Sequence, residues 1–349
     1  MKVVIPVGAL HLGGGCKNLA DLANALHVRG HDTEILVPER EPVVYDIHCK
    51  LTRIPALHSS YIPYADLVIA NFYTTFSACY EAWPKQCVRF SQAYEPSWVP
   101  DRDFALWTYA QGIPVITLSN WLDEQIYQAV GQRTYIHNPG VDPLIFYPPP
   151  IPKKFAPEKR KIILYLARDP DSGYEIKGFY DFVQCMELFN RKYTGKFIVH
   201  MVCPEKKLQL PSGIPCRTYG ALTDKQFAEL YREADIFVSS SWIEAYGFPP
   251  LEAMACGTPV VTTDSGGIRD FSEHMKSAFI TKPQNPSELA EAIMIVLSNE
   301  TLYQELVTGG LESASRFRKH DFEQKLVDTL ELISKKLNIG TKKSLPSSN

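Results

Sequence analysis

Short, continuous apolar runs alternate along the chain with segments whose apolar residues recur at a helical period. Runs such as "KVVIPV" at 2–7 and "KIILYLA" at 161–167 are apolar at nearly every position, which indicates strands buried on both faces. Segments 18–29 and 120–130 are amphipathic and predict the covering helices. The alternation therefore predicts parallel sheets with helices on both faces. The predicted strands are 2–7, 33–38, 65–70, 86–91, 113–118, 161–167, 196–202, 234–240 and 258–263.

A proline-rich stretch at 143–160 interrupts this pattern and reads as a linker. Strands and helices resume at 161, and from 286 onward the pattern is helical only. The end of the chain is polar and lacks aromatic residues, which is typical of a disordered tail. We therefore expect a first domain at 1–142, a linker at 143–160, a second domain at 161–318, a helix at 319–338 and a disordered tail at 339–349.

The fold class expected from this organisation is α/β, with two doubly wound, Rossmann-like domains facing a central cleft. A chain of 349 residues has a suitable length for two such domains. Open parallel sheets bind ligands at the carboxyl ends of their strands. The expected ligand site is therefore the cleft between the domains.

Composition and charge exclude several classes of function. Charged residues make up 21% of the chain, hydrophobic residues 45%, and the net charge is −3, so a globular protein is expected and a nucleic-acid partner is disfavoured. The eight cysteines include no CxxC pair, which argues against a zinc or redox site and for a reducing, cytoplasmic location. No apolar run approaches the roughly 20 residues of a membrane span, and the opening run is too short for a signal peptide.

The stretch "IEAYGFPPLEAMACG" at 243–257 carries the clearest chemistry. Its prolines suit a first helical turn, so the amides of Gly247 and Phe248 and the helix dipole are predicted to attract phosphate. Glu244 ends the preceding strand and Glu252 lies in the first turn, so both point toward the same crevice. The structural alternative is that a glutamate there merely stabilises the helix dipole, by ~0.3–1 kcal/mol.

A second stretch, "ARDPDSGYEIKGF" at 167–179, follows another predicted strand. Arg168 offers a bidentate fork and Lys177 a point charge, which together could hold a diphosphate. Asp169 and Asp171 form a DxD pair that could bind a metal through substrate phosphates, but an ordinary solvated loop is the favoured interpretation of that pair.

Two glycine pairs follow predicted strands. Gly14 and Gly15 belong to a glycine run that permits close approach to a ligand at a helix start, or simply a flexible turn. Gly266 and Gly267 leave the same two alternatives open.

The stretch "RFSQAYEPSW" at 89–98 supplies Gln92, Tyr94, Glu95 and Trp98, a polar and aromatic set that suits carbohydrate hydroxyls and a stacking ring. Packing between helices is the alternative for the nearby aromatic residues Trp107 and Tyr109.

The segment "SSSWIEAYGFPPLEAMACGTPVVTTDSGGI" at 239–268 resembles the signature region of glycosyltransferase family 4, whose members have the GT-B fold. The resemblance extends over nearly the whole chain, through "RGHDTEILVP", "LSNWL", "NPGVDPLIF" and "YGALTDKQFAELYREADIFVSSS". It implies a retaining transferase without a metal or other cofactor, which uses a nucleotide-diphosphate-sugar as co-substrate. It also implies that the helix at 319–338 crosses back to the first domain.

Residue roles follow from the resemblance. Glu244 would approach the donor sugar, while Arg168 and Lys177 would bind the diphosphate. Glu252 would bind the nucleotide ribose. The remaining donor-side residues would be Tyr246, Gly247, Phe248, Gly14 and Gly15, and the acceptor-side residues would be Gln92, Tyr94, Glu95 and Trp98.

One departure from the family concerns Gln92, which occupies the place where many members carry a histidine. The segment "QAYEPSW" is similar to Q-D-x-E-P-x-F of bacterial rhamnosyltransferases in this family, with Ala93 and Trp98 differing. This similarity hints at a deoxysugar donor.

The expected function is sugar transfer from a nucleotide-diphosphate-sugar to a hydroxyl of a saccharide or glycan acceptor, in bacterial surface polysaccharide synthesis. The expected location is cytoplasmic, and peripheral contact with the inner face of the membrane is left open. Two alternatives are a nucleotide-sugar epimerase of the same fold and a non-catalytic partner subunit of a glycosyltransferase.

Overall fold

The computed structural model describes residues 1–151 and 154–343, with side chains up to Leu337. The chain separates into two compact α/β units. The first comprises Met1–Asn138 together with the chain from His320 onward, and the second is Pro139–Lys319.

The first unit contains a seven-stranded sheet in which every pairing is parallel. Its strands are β1 (Lys2–Pro6), β2 (Asp32–Pro38), β3 (Lys50–Ile54), β4 (Leu67–Ala70), β5 (Cys87–Ser91), β6 (Val115–Thr117) and β7 (Tyr135–Ile136). They lie in the order β3-β2-β1-β4-β5-β6-β7. The helices between them are α1 (Gly14–Val28), α2 (Tyr73–Ala82), α3 (Arg102–Tyr109) and α4 (Asn120–Val130).

The second unit repeats this plan with a six-stranded parallel sheet. Its strands are β8 (Lys161–Leu166), β9 (Phe197–Val202), β10 (Cys216–Tyr219), β11 (Ile236–Ser239), β12 (Val260–Thr263) and β13 (Phe279–Thr281). They lie in the order β10-β9-β8-β11-β12-β13. Its helices are α5 (Phe179–Lys192), α6 (Asp224–Glu233), α7 (Phe248–Ala255), α8 (Pro286–Ser298) and α9 (Glu300–Ser315), and α10 (Lys319–Lys343) follows.

The predicted α/β class, with two doubly wound parallel sheets, is confirmed. In each sheet the first strand is an interior strand, third from one edge, and the strand order reverses beside it, between β1 and β4 and between β8 and β11. Residues of these interior strands such as Val4 and Ile163 are fully buried, because helices cover both faces. Each of the predicted strands is present, whereas β3, β7, β10 and β13 were not predicted.

The last helix, α10, belongs mainly to the first unit. His137 Nε2 lies 2.8 Å from Thr329 Oγ1, and His31 Nε2 lies 2.9 Å from the Glu331 carboxylate. The helical backbone continues to Lys343, into the range that the sequence assigned to the tail. Residues 344–349 of that predicted tail lie outside the described residues.

The described part of the predicted linker packs against the second unit. The ring of Phe146 lies 6.3 Å from that of Tyr231, and the ring of Phe155 lies 5.5 Å from that of Tyr303. Arg232 also donates to the Ile145 carbonyl at 3.3 Å. This stretch is therefore a packed part of the second unit, since its aromatic side chains reach the core.

Candidate functional site

The strongest candidate site lies in the second unit, where β8 and β11 are neighbours and the strand order reverses. Such a switch point opens a crevice at the carboxyl ends of the two strands, where ligands bind in doubly wound sheets. Arg168 and Lys177 lie on the chain that leaves β8, and Glu244 lies on the chain that leaves β11. Sequence-distant charged residues are thus brought to one edge of the sheet.

Lys177 and Glu244 form an ion pair at this edge. The Lys177 Nζ lies 2.8 Å from each oxygen of the Glu244 carboxylate. The two side chains are 25% and 21% exposed, so solvent screens the pair only in part. The main chain helps to fix this geometry, because the Trp242 amide donates to the Ile176 carbonyl at 2.8 Å.

Arg168 is the second cation at this edge. Its guanidinium carbon lies 3.7 Å from the centre of the Tyr174 ring, and its Nε donates to the Glu205 carboxylate. The Arg168 and Glu205 side chains are 19% and 21% exposed. A planar guanidinium and an ammonium group at one edge of a sheet provide charge and shape suited to phosphates.

The DxD residues beside Arg168 have a different set of contacts. Lys206 Nζ lies 2.7 Å from a carboxylate oxygen of Asp169 and 2.7 Å from one of Asp171. The hydrogen bond from Lys206 lowers the pKa of Asp169. Asp169 also accepts a 2.7 Å hydrogen bond from Ser172 Oγ. Both carboxylates therefore neutralise a lysine, and the described residues contain no cluster of three His, Cys, Asp or Glu that could hold a metal ion.

The turn between the two glutamates leads into a helix as predicted, but Glu252 lies beyond the first turn of that helix, which contains no acidic residue. Gly247 takes a left-handed φ of 101° and precedes α7, whose first turn contains two prolines. The Glu244 amide donates to the Ser265 carbonyl at 2.8 Å, and the Gly267 amide donates to the Glu244 carbonyl at 2.9 Å. A Cβ at Gly267 would lie 2.2 Å from the Ala245 carbonyl oxygen, so this glycine is required for close packing of the chain.

Glu252 and Tyr246 differ in their surroundings. Glu252 accepts a 3.0 Å hydrogen bond from the hydroxyl of buried Tyr231, which orients its carboxylate. Tyr246 is only 1% exposed and packs against the rings of Phe248 and Phe271, and burial raises the pKa of its phenol. The Tyr246 ring therefore packs in the interior beneath the turn, and the donor-side role expected for this residue stays a prediction.

Residues 150–312, which contain this site, match the family "Glycosyl transferases group 1". This part of the chain is a glycosyl transferases group 1 domain. A segment of 113 residues is 34% identical to mannosylfructose-phosphate synthase of Agrobacterium fabrum. That match covers 32% of this chain, which spans only a quarter (25%) of the relative's length.

The family match covers only residues 150–312, whereas similar solved structures cover both units. Sucrose-phosphate synthase from Thermosynechococcus elongatus matches with a TM-score of 0.77 and 17% identity, covering 95% of this chain and 98% of that one. Anabaena HepE in complex with UDP-glucose matches with a TM-score of 0.75 and 17% identity, covering 95% and 99%. These likenesses show the fold, that of the GT-B glycosyltransferases. No helix within the described residues is both long enough and apolar enough to cross a membrane.

Outside the group 1 domain, Gln92 connects two segments of the first unit. Its Nε2 donates to the Gly15 carbonyl at 3.0 Å, and its Oε1 accepts from Asn18 Nδ2 at 2.8 Å. Gly14 and Gly15 form the first turn of α1, which begins four residues before the predicted helix. The glycine run and Gln92 are therefore neighbours, as expected if both lie at one edge of this sheet.

Glu95, which was expected on the acceptor side, lies in the interior of the first unit. Its side chain is fully buried, lies 2.8 Å from the buried Arg89 guanidinium and accepts a 2.5 Å hydrogen bond from Tyr109. It therefore pairs with an internal cation. Tyr94 is half-buried over Tyr109, while Trp98 is 37% exposed and remains available for contact.

Three residues that surround the predicted site were not predicted from the sequence, namely Tyr174, Glu205 and Tyr231. Glu205 carried a usable signal, because it follows β9 and therefore lies at the carboxyl edge of the same sheet. Tyr231 lies on α6 and reaches Glu252 only through the tertiary fold, so no local spacing could have indicated it.

Proposed function

We propose that the chain is a retaining glycosyltransferase of the family 4 type, which moves a sugar from a nucleotide-diphosphate-sugar to a hydroxyl of a saccharide or glycan acceptor. The observation that carries this proposal is the convergence of Arg168, Lys177 and Glu244 at the switch point of a group 1 domain. The start of α7 at Phe248 supports it, because helix N-termini attract phosphate.

The chemistry assigns a distinct task to each group. The bond between the anomeric carbon and the diphosphate oxygen breaks, the acceptor oxygen forms the new bond, and its proton passes to the departing phosphate. Negative charge grows on the diphosphate, where Arg168, Lys177 and the amides of Gly247 and Phe248 stabilise it. Departure and attack on the same face of the sugar give retention of configuration.

The two glutamates hold the parts of the donor that do not carry the departing charge. Glu252, oriented by Tyr231, accepts hydrogen bonds from ribose hydroxyls. Glu244 leaves its ion pair with Lys177 in part, as the ammonium turns to phosphate, and binds hydroxyls of the donor sugar. A transfer without a metal is part of the proposal, and the pairing of Asp169 and Asp171 with Lys206 is compatible with it.

In the first unit, Gln92, Tyr94 and Trp98 are proposed to contact the acceptor, with Gly14 and Gly15 near the donor. The printed names of the relatives suggest sugar phosphates as acceptors, and the HepE complex suggests UDP-sugars as the first donors to test. A deoxysugar donor and a role in bacterial surface polysaccharide synthesis are the finer parts of the proposal.

The test is a screen of nucleotide-diphosphate-sugars with saccharide and sugar-phosphate acceptors, in which release of nucleoside diphosphate is measured. Arg168→Ala and Lys177→Ala are each expected to slow release by roughly 10²-fold or more. Lys276→Ala is the matched control, because the Lys276 side chain is exposed and pairs with the exposed Glu273, remote in sequence from Arg168 and Lys177. Wild-type turnover in both Arg168→Ala and Lys177→Ala would contradict the proposal.

Two further measurements separate the alternatives: the sugar product formed from the donor alone, and the melting temperature with nucleoside diphosphates. An epimerase would convert the donor sugar to its epimer without an acceptor. A non-catalytic subunit would show no thermal stabilisation by any nucleoside diphosphate, since a ligand raises stability only when it binds the folded state.

A further inference from the structure

The guanidinium of Arg168 is held from two directions by residues of two different loops. Tyr174, which lies between two 3-10 turns after β8, stacks its ring 3.7 Å from the guanidinium carbon. Glu205, which follows β9, accepts a hydrogen bond from Arg168 Nε. Stacking fixes the plane of the guanidinium, and the Nε hydrogen bond fixes its rotation within that plane.

The remaining nitrogens of Arg168 are its two terminal nitrogens, which can bind phosphate together. Among the described residues, neither Nη1 nor Nη2 of Arg168 donates a hydrogen bond to another residue. These two nitrogens form the fork that matches two phosphate oxygens. Stacking on Tyr174 and the hydrogen bond from Nε therefore restrain the Arg168 side chain, while Nη1 and Nη2 remain available to a ligand.

Both restraining residues are themselves anchored. The second carboxylate oxygen of Glu205 accepts a hydrogen bond from Cys203 Sγ at 3.3 Å. The carbonyl of Tyr174 accepts a 3.0 Å hydrogen bond from the Lys177 amide, so the loop that stacks on one cation also carries the other. Residues fixed in this way can orient a ligand-binding side chain before the ligand arrives.

We propose that Tyr174 and Glu205 are positioning residues that hold Arg168 with its two terminal nitrogens facing the diphosphate of the donor. This inference rests on the proposed function, in which Arg168 binds that diphosphate. Preorganisation raises affinity because less side-chain freedom is lost when the ligand binds.

A competing interpretation assigns Glu205 the opposite effect. A carboxylate beside Arg168 could occupy the phosphate position and mask the cation, in which case its removal would tighten binding. The hydrogen bond to Nε, away from the terminal fork, favours positioning over masking. The two interpretations predict opposite signs for one substitution.

The experiment measures binding of nucleoside diphosphates to the full chain by calorimetry, first with UDP, GDP, ADP and dTDP to find the tightest. Tyr174→Leu and Glu205→Gln are each expected to lower the affinity for that diphosphate by about two- to tenfold, which is the range of a stacked or charge-assisted contact. Tyr174→Phe retains the ring and is expected to bind as tightly as the wild type. Melting temperatures establish that the variants fold, and Glu205→Asp provides a second carboxylate variant, also expected to weaken binding.

Two readouts separate positioning from a general structural role. Binding of the corresponding nucleoside is expected to stay unchanged in Tyr174→Leu and Glu205→Gln, because only phosphate contacts pass through Arg168. In an Arg168→Ala background the two substitutions are expected to have no further effect, since residues that act through one partner are not additive.

The outcomes distinguish this inference from the function on which it rests. Wild-type diphosphate affinity in Arg168→Ala would overturn the phosphate assignment of the proposed function. If Arg168→Ala weakens binding while Tyr174→Leu and Glu205→Gln bind as the wild type, or if Glu205→Gln binds more tightly, the positioning inference alone is overturned.

Discussion

Gly178 lies so close to Ser240 that a Cβ on this glycine would stand 2.0 Å from the Ser240 carbonyl oxygen. The Ser240 hydroxyl in turn donates to the Gly178 carbonyl at 2.8 Å. This contact seats the loop of Lys177 against the end of β11, from which the chain runs on to Glu244. The 2.8 Å pair between Lys177 and Glu244 therefore depends on a residue without a side chain at 178.

Gly178→Ala is expected to lower the melting temperature and to weaken binding of nucleoside diphosphates, because the methyl group would push Lys177 away from the site. Gly173→Ala is the matched control. Both glycines have a left-handed φ, 70° and 84°, but a Cβ at Gly173 would meet no atom within 4 Å. The free energy of unfolding of the control should therefore fall by only about 1–2 kcal/mol, the cost of a left-handed φ for alanine. Its affinity for the diphosphate should be unchanged. Equal loss of affinity in the two variants would refute the importance of the contact.

Glu244→Gln and Glu252→Gln are expected to separate catalysis from donor binding. Glu244→Gln should retain affinity for the nucleoside diphosphate but lose most of its turnover, since the proposed contact of Glu244 is with the sugar. Glu252→Gln should lose diphosphate affinity, because its proposed contact is with the ribose. Calorimetry with the diphosphate and initial rates with the donor test both statements, and the reverse pattern would exchange the two assignments.

The strands that were predicted and those that were missed differ in their position in the sheets. Continuous apolar runs mark strands with a neighbour on each side and helices on both faces. The four missed strands, β3, β7, β10 and β13, are the edge strands of the two sheets. Edge strands are short and carry polar residues, as Lys50–Ile54 and Cys216–Tyr219 do. The interior of each sheet could therefore be predicted from apolar runs, but its edges could not.

The candidate site shows a similar division. The turn residue Gly247 and the charges at strand ends carry local signals, because a φ of 101° calls for glycine and strand ends converge at one edge. Burial of a side chain depends on neighbours that are remote in sequence. Tyr246 and Glu95 both looked available for a ligand, and both are buried by contacts that no local spacing indicates.

The stability of the second unit is expected to fall at mildly acidic pH because of His200. Burial, together with nearby Arg217 and Arg160, lowers the pKa of His200 from its ordinary value of 6.5. The unfolded chain therefore binds a proton at a higher pH than the folded chain. The stabilisation is fully present above pH ~6.5 and is lost as the pH falls through the lower folded pKa.

Urea unfolding midpoints measured between pH ~7.5 and ~5 test this dependence. His200→Gln should reduce the drop, since glutamine does not titrate, while exposed His27→Gln should leave it as in the wild type. A pH dependence of the first unit should persist in His200→Gln, because burial lowers the pKa of His137 in that unit. An unchanged drop in His200→Gln would show that other groups dominate.

Arg89 and Glu95 form a fully buried ion pair. We expect substitutions of this pair to change the free energy of unfolding. The pair is 2.8 Å long, yet Arg89 Nε and Nη1 and one Glu95 oxygen have no hydrogen-bond partner within the part of the chain that the structure describes. Glu95→Gln would leave the arginine charge uncompensated, which costs about 3–5 kcal/mol. Arg89→Met combined with Glu95→Leu removes both charges and both desolvation penalties, so the double variant should be more stable than Glu95→Gln. Urea unfolding of both variants measures the difference, and a double variant less stable than Glu95→Gln would mean that the pair itself is a net source of stability.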